Sequence, residues 1–330
     1  MELKYVVVSG YVTTGASAVT DLLKEYEGFW EAKVEFRLIK DPYCLIDLRH
    51  HIIDCWDPLY VDNAIKDFMW AAKHLNHVNS KLSLTSGLGY GSRKVFGDNF
   101  LRATYKFLGD IINYQYLGTW WMTDFKSSKF EVLKRKIKRK LKIKLNDTMY
   151  FSACTPEKFD AAVAKYLDNL FFNGGITRKT CVLDQGFPAQ QPELLNNFLP
   201  NSKMIVVDRD PRDVYTEMYR SDPLLKYELQ KNHNVDLFVE WYKGYRKNAD
   251  TVRKNTDVLI VNFEDVVLNY ESTKEKLEKF LGLKDKQHLC KKTLFIPENS
   301  SKNIGKWKDF IFQEDIRKVE QCLPEYLWNE

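Results

Sequence analysis

Tyr5-Val6-Val7-Val8-Ser9-Gly10-Tyr11-Val12-Thr13-Thr14-Gly15-Ala16-Ser17-Ala18-Val19 decides the fold. A short, continuously apolar run leads into two glycines and then into an amphipathic stretch. Tyr5–Val8 reads as a strand buried on both faces. Gly10, four residues and Gly15 then have the spacing of a phosphate-binding loop opening a helix. Glycines let the backbone approach an anion. The N–H groups at the helix start point at it with a favourable dipole. Ser17 stands where a hydroxyl would meet a phosphate. Ala16 stands where a nucleotide-hydrolysing loop carries lysine, which disfavours ATP or GTP chemistry.

Further runs of the same kind follow at Cys181–Leu183, Met204–Val207 and Val258–Val261. Amphipathic stretches lie between them, at Ala18–Tyr26, Val235–Val252 and Ser272–Leu281. The alternation predicts a three-layer α/β fold with a mainly parallel sheet and the topology of P-loop nucleotide-binding proteins. We expect a single domain over residues 1–330. A helical insertion at about 43–175 carries an aromatic cluster (Phe107, Tyr114, Tyr116, Trp120, Trp121, Phe125) and then a basic run.

Of the 330 residues, 44% are hydrophobic and 29% charged, which excludes a disordered chain, a collagen and a disulfide miniprotein. The net charge of +5 is concentrated. Residues 126–145 hold ten Lys/Arg against the single acid Glu131, a local +9, and the remainder carries 40 basic and 44 acidic residues. No nucleic-acid partner is expected from so mild a total. Leu133, Ile137, Leu141 and Leu145 form an apolar stripe through the basic run. It suits a membrane surface or a polyanionic acceptor, or a solvated helix docked by that stripe. The six cysteines (44, 55, 154, 181, 290, 322) show neither zinc-ligand nor disulfide spacing. No apolar run reaches the roughly 18 residues of a membrane span, and no charged-then-apolar leader opens the sequence. A reduced, cytoplasmic protein is the expectation. His50 and His51 point to different sides of any regular element, and His74/His77 lack a carboxylate ligand pattern, so no metal is expected.

Met204–Val207 runs into Asp208-Arg209-Asp210-Pro211-Arg212-Asp213. Arg209 therefore stands at the carboxyl end of a buried strand, where α/β sheets bind ligands, and its planar fork suits a phosphate. The alternative is a surface arginine held by its own aspartate neighbours.

Four elements in this order resemble the PAPS-dependent sulfotransferases, of bacterial type. Gly10–Val19 is similar to the family's loop for the 5′-phosphosulfate. Residues 203–219, KMIVVDRDPRDVYTEMY, resemble its strand-loop-helix for the 3′-phosphate. Val261–Val266 with Phe280-Leu281-Gly282-Leu283 resembles its "YEDL … FLGL" element. NSSKNIGKWKDF, residues 299–310, is similar to its C-terminal loop over the 3′-phosphate. The resemblance implies transfer of the sulfonate of PAPS to a hydroxyl of a sterol-like, lipid or carbohydrate acceptor, with release of adenosine 3′,5′-bisphosphate and no metal. It implies Thr13, Thr14, Gly15, Ala16, Ser17 and Ala18 at the 5′ end. Arg209, Thr216, Glu217, Ser301 and Lys302 belong to the 3′-phosphate. The chain departs from the family at Thr13 (usually Lys or Arg), Ala18 (often Trp), Glu217 (usually Ser) and Ser300-Ser301-Lys302 (usually Arg-Lys-Gly). Arg37, Lys40, Lys302 and Lys306 are candidates to replace the missing loop cation. For the base that takes the acceptor proton, Glu35, in Val34-Glu35-Phe36-Arg37-Leu38 read as a strand, is favoured over Asp184. A small-molecule P-loop kinase and a non-catalytic nucleotide or glycan binder are the alternatives. Acceptor identity and oligomeric state are not legible.

Overall fold

The computed structural model describes residues 3–31, 35–77, 91–120, 127–143, 147–172 and 180–329. The strands are β1 (Tyr5–Gly10), β2 (Phe29–Glu31), β3 (Tyr114–Gly118), β4 (Asp147–Phe151), β5 (Thr180–Asp184), β6 (Ser202–Asp208) and β7 (Val258–Asn262). The principal helices of the first half are α1 (Ala16–Lys24), α2 (Pro58–Asn76), α3 (Asn99–Ile111), α4 (Lys129–Lys140) and α5 (Pro156–Phe172). Those of the second half are α6 (Pro211–Ser221), α7 (Val235–Tyr245), α8 (Phe263–Leu268), α9 (Tyr270–Leu281) and α10 (Gln313–Cys322). The chain divides into two compact units, Lys40–Leu170 and the remainder.

In the larger unit all five strands run parallel in the order β2-β5-β1-β6-β7. Tyr5 to Val8 are wholly buried, as are Val182 and Met204–Val207, because both sheet faces are covered. Val6, Val8, Val182, Ile205, Val207 and Val261 pack with Val19, Leu22 and Leu23 of α1 and with Phe263 and Val266 of α8. From the opposite face, Tyr5 meets the rings of Phe171 and Phe172 at 6.0 and 5.4 Å. A second apolar cluster joins α6, α7 and α10 through Tyr215, Met218, Phe238, Ile316 and Val319. After β1 the chain enters α1, which packs in the first cluster, and after β6 it enters α6, which packs in the second. The crevice between the carboxyl ends of β1 and β6 is the position where such sheets bind ligands.

Three local readings need correction. Glu35 is not on a strand. The strand lies earlier, at Phe29–Glu31, and residues 37–40 turn so that Phe36, Leu38 and Ile39 can all be buried, which an alternating strand could not do. The stretch Val235–Val252 is two helices, broken where Arg246 turns its buried guanidinium onto Asp208. The insertion is not purely helical, since β3 and β4 pair antiparallel within it. In that unit, buried Phe107 packs between Phe159 and Tyr166, whereas Tyr114 and Tyr116 are exposed. Trp121, Phe125, Lys126, Lys144 and Leu145 lie outside the described residues.

Two buried carboxylates, Glu25 past the far end of α1 and Glu264 after β7, fix loops around the sheet. Glu25, just past α1, accepts the backbone N–H groups of Lys292, Thr293, Leu294 and Phe295 at 2.8–3.1 Å. It also pairs with His288 Nε2 at 2.7 Å. Burial pushes its pKa up, but His288 and the backbone donors outweigh burial and hold it below the usual carboxylate range. Glu264, in the first turn of α8, accepts the N–H of Asp210 at 3.0 Å through Oε1, while its buried Oε2 has no partner. Burial pushes this carboxyl up to about 7.

The two carboxylates predict opposite pH behaviour. Glu25→Ala strands four N–H donors and a histidine, so urea denaturation should show a loss of about 3–5 kcal/mol at neutral pH. That contribution is present above the ordinary carboxylate pKa and disappears as pH falls through the depressed folded value. Glu264 holds in the folded state a proton that the unfolded chain releases. Its contribution therefore declines as pH rises from about 4.5 to 7, by an amount on the order of 3 kcal/mol. Glu264→Gln should flatten that part of the stability profile. A variant profile parallel to wild type between pH 5 and 7 would remove Glu264 as the titrating group.

Candidate functional site

β1 delivers the chain to Gly10, where an added Cβ would collide with Thr14 Oγ1 and lie 3.0 Å from the Val207 carbonyl. The loop then passes through Thr13 at φ 57° and Gly15 at φ 81°. A β-branched residue in the left-handed region costs about 1–2 kcal/mol. Here it aims the Thr13 carbonyl at Arg209, whose Nη1 donates to it at 3.0 Å. At Gly15 a side chain is excluded twice, by φ and by the Phe263 ring, which would lie 2.6 Å from a Cβ. α1 opens at Ala16, and the Ala18 N–H already donates to the Gly15 carbonyl at 3.0 Å.

β6 delivers Arg209, which is only 6% exposed. Its second Nη donates to the Asn303 carbonyl, and the guanidinium lies 5.1 Å from the Phe263 ring centroid. Arg209 Nε, Thr13 Oγ1 and Thr14 Oγ1 are buried without hydrogen-bond partners. Such groups are costly unless a ligand or water answers them. Asp208 is held by Arg246, which stacks between Tyr11 and Tyr242 at 4.2 and 3.4 Å. The Tyr242 hydroxyl donates to the Arg209 carbonyl at 3.2 Å.

A third segment closes the site. Asp213, buried in α6, accepts the N–H groups of Gly305 and Trp307 at 2.7 and 3.3 Å. Burial pushes its carboxyl up, and those donors and Arg209 oppose the rise. Arg212 lies over the Trp307 ring at 3.9 Å and is held by Asp210 and Glu320. This clamp brings Lys306 to Glu217, 3.1 Å apart. Burial raises the Glu217 pKa, but Lys306 and Ser221 more than offset it, leaving the carboxylate below its usual range.

The result is a cleft of about 360 Å³. Gly15, Ser17, Arg209, Glu217, Asn303 and Lys306 supply its polar side. Phe263, Leu294, Phe295 and Ile296 supply apolar lining. The structure thus gathers Gly15, Ser17, Ala18, Arg209, Glu217 and Lys306 in one place. Other sequence candidates lie elsewhere. Thr216 is fully buried and its hydroxyl donates to the Arg212 carbonyl. Ser301 Oγ donates to Glu298, and neither it nor Lys302 is among the lining residues. Glu35 and Arg37 pair with each other at 2.9 Å outside the lining. Asp184 ends β5 in register with Val8. Lys40 opens the smaller unit. Asn303, Phe263 and the Asp213 clamp were not anticipated; their only sequence signal is position, at a strand end or in the glycine-containing C-terminal loop.

Among the described residues one trio of potential metal donors, Glu278, Asp285 and His288, has ligand atoms within 4.8 Å of one another. Asp285 already holds Lys274 and Lys291, Glu278 accepts from Tyr26, and His288 Nε2 is on Glu25. Of the four histidines weighed from the sequence, three have partners for their side chains. His50 faces Asp54, His51 faces Asp47, and His74 meets the Trp70 carbonyl.

Among solved structures, the chain is similar to the sulfotransferase domain of the curacin biosynthetic pathway: 12% identity over 88% of this chain and 77% of that one, TM-score 0.42. It is also similar to the sulfotransferase domain of the Synechococcus PCC 7002 olefin synthase, at 12% over 97% and 93%, TM-score 0.40. A third is sulfotransferase STF1 from Mycobacterium tuberculosis H37Rv, at 10% over 92% and 77%, TM-score 0.38. No curated protein matches the chain. A family model described as the sulfotransferase family matches residues 119–287, just over half of the sequence. On that match the chain belongs to the sulfotransferase family, whose members are transferases of sulfonate groups.

Proposed function

We propose that this chain is a PAPS-dependent sulfotransferase that moves the sulfonate to a hydroxyl of a sterol-like, lipid or carbohydrate acceptor. The observation that carries the reading is buried Arg209, fixed by two backbone carbonyls at the crevice between β1 and β6, with its Nε unanswered. A guanidinium so placed is preorganised for a phosphate rather than for a neutral ligand. Lys306 reaches the same cleft, and the apolar side formed by Phe263 and Ile296 suits a flat base. Ala16 at the start of α1 speaks against a kinase.

In this reading the Gly15–Ala18 segment and the Ser17 hydroxyl hold the phosphosulfate, and Arg209 and Lys306 hold the 3′-phosphate. Glu35 takes the acceptor proton, with Arg37 beside it, and Asp184 is the second choice for the base. Transfer needs in-line placement, charge stabilisation on the departing phosphate and a base. Occupation of Lys306 by Glu217 supports one rival, a nucleotide binder without turnover.

Calorimetric titration with adenosine 3′,5′-bisphosphate, with ATP·Mg²⁺ alongside, tests the site. Micromolar binding of the bisphosphate is expected, abolished in Arg209→Ala and weakened about tenfold in Lys306→Ala. Glu217→Ser releases Lys306 and should tighten binding several-fold; unchanged affinity would show that Lys306 does not reach the ligand. Preference for ATP·Mg²⁺ would transfer the chain to the kinase reading. With PAPS and an acceptor panel, Glu35→Gln should lower turnover at least about a hundredfold. Full turnover in that variant would move the base to Asp184, and tight binding without wild-type turnover would favour the binder.

A further inference from the structure

α4 is turned the wrong way round for a docked helix. It begins at a complete capping box, with Ser128 and Glu131 answering each other, so it is a deliberate element. None of its residues is buried. At about 100° per residue, Phe130, Leu133, Ile137 and Leu141 fall within an arc of roughly 80°. Their exposures are 75, 55, 50 and 65%, and Ile143 beyond the helix is 50% exposed. The opposite side meets the protein. There Arg135 makes a two-pronged ion pair with Asp147 of β4, at 2.7 and 2.8 Å, and Val132 is half-buried. The expectation that the apolar stripe docks this helix is therefore overturned. A polar anchor holds it and the stripe faces outward.

The charges complete the pattern. Lys129, Lys136 and Lys140 flank the stripe on one side, and Lys134 and Lys138 flank it on the other. An apolar arc edged by lysines, whose long stems can follow apolar surface while their ammonium groups stay in water, matches an anionic bilayer surface. A polyanion such as a sulfated glycan would satisfy the lysines but give nothing to Phe130, Leu133, Ile137 and Leu141. Among the described residues no helix is long and apolar enough to cross a membrane. We propose that α4 is an interfacial anchor that seats this chain on anionic lipid surfaces. Phe130, Leu133, Ile137 and Leu141 enter the acyl boundary, and the flanking lysines pair with lipid phosphates. The inference is independent of the nucleotide site.

The test is co-sedimentation of the full chain with vesicles of phosphatidylcholine alone and of phosphatidylcholine with about one third phosphatidylglycerol, at low and at 0.5 M salt. Wild type should partition to the anionic vesicles, at least about tenfold better than to neutral ones, and lose most of that binding in high salt. Leu133→Asp/Ile137→Asp changes only exposed side chains, so it should keep the wild-type Tm and nucleotide affinity while losing vesicle binding about tenfold or more. Lys134→Glu/Lys138→Glu should lose the preference for anionic lipid. Equal vesicle binding by wild type and the Leu133/Ile137 variant overturns the proposal. So does binding of heparin by wild type with no vesicle binding, which would make the run a polyanion site. A wild-type dimer in sedimentation velocity that the Leu133/Ile137 variant dissociates, with no vesicle binding by either, would make the stripe a self-association face and likewise overturn it.

Discussion

The buried guanidinium of Arg209 ties three distant segments together at the ligand end of the sheet. Arg209 is supplied by β6, but its two hydrogen bonds end on Thr13, 196 residues earlier, and on Asn303, 94 residues later. Neither partner is a carboxylate. The cation is thus kept in place by carbonyl dipoles and by the Phe263 ring, without a full counter-charge on its fork. Burying such a group is expensive unless something anionic eventually meets it. The carboxylates around it are largely committed elsewhere. Asp208 is on Arg246, Asp210 caps α6 and holds Arg212, and Asp213 is on two backbone N–H groups. The strained Thr13 backbone belongs to the same arrangement, because in that conformation its carbonyl meets the guanidinium.

The central strands were legible because a strand buried on both faces must be apolar at consecutive positions, and four such runs occur in the sequence. The loop after β1 was legible because only glycine satisfies both φ and the Phe263 contact at position 15. β2 escaped because three residues at a sheet edge leave no periodic signal. The Glu35 segment was misread because Phe36, Leu38 and Ile39 look strand-like in sequence, while their burial is achieved by a turn. Glu25 and Asp213 could not be found at all. Apart from His288 on Glu25, their partners are backbone N–H groups up to 270 residues away, which carry no side-chain identity to read. The stripe on α4 shows a different limit. Periodicity fixes which residues share a face, and tertiary anchoring by Arg135 and Asp147 decides which way that face turns.

Two of the departures from the family pattern can be understood together. Against the family pattern that the sequence resembles, Thr13 removes a cation from the loop, and Glu217 adds a carboxylate to the cleft lining. Lys306 stands beside the second of these changes, because Asp213 clamps the backbone on either side of it and leaves its side chain on Glu217. Since Glu217 already holds it, an entering phosphate gains a charge-assisted hydrogen bond only as another is lost. The net gain is then the difference between two similar interactions rather than the full value of one. Arg209 has no such internal competitor on its fork, so in the proposed reading it carries the larger share of anion affinity.

The same logic explains why the walls are so firmly tied. Affinity that depends on one fixed cation and one exchangeable cation falls quickly if either moves by an ångström. Glu25 prevents that on the apolar side by holding residues 292–295 against the end of α1. Asp213 prevents it on the polar side by holding Gly305 and Trp307 against α6. Both are side-chain carboxylates bonded mainly to backbone N–H groups, so, His288 apart, the positions they fix do not depend on the identity of the loop side chains. That leaves residues such as Leu294, Ile296, Ser300 and Lys306 free to vary toward a particular ligand while the cleft keeps its shape.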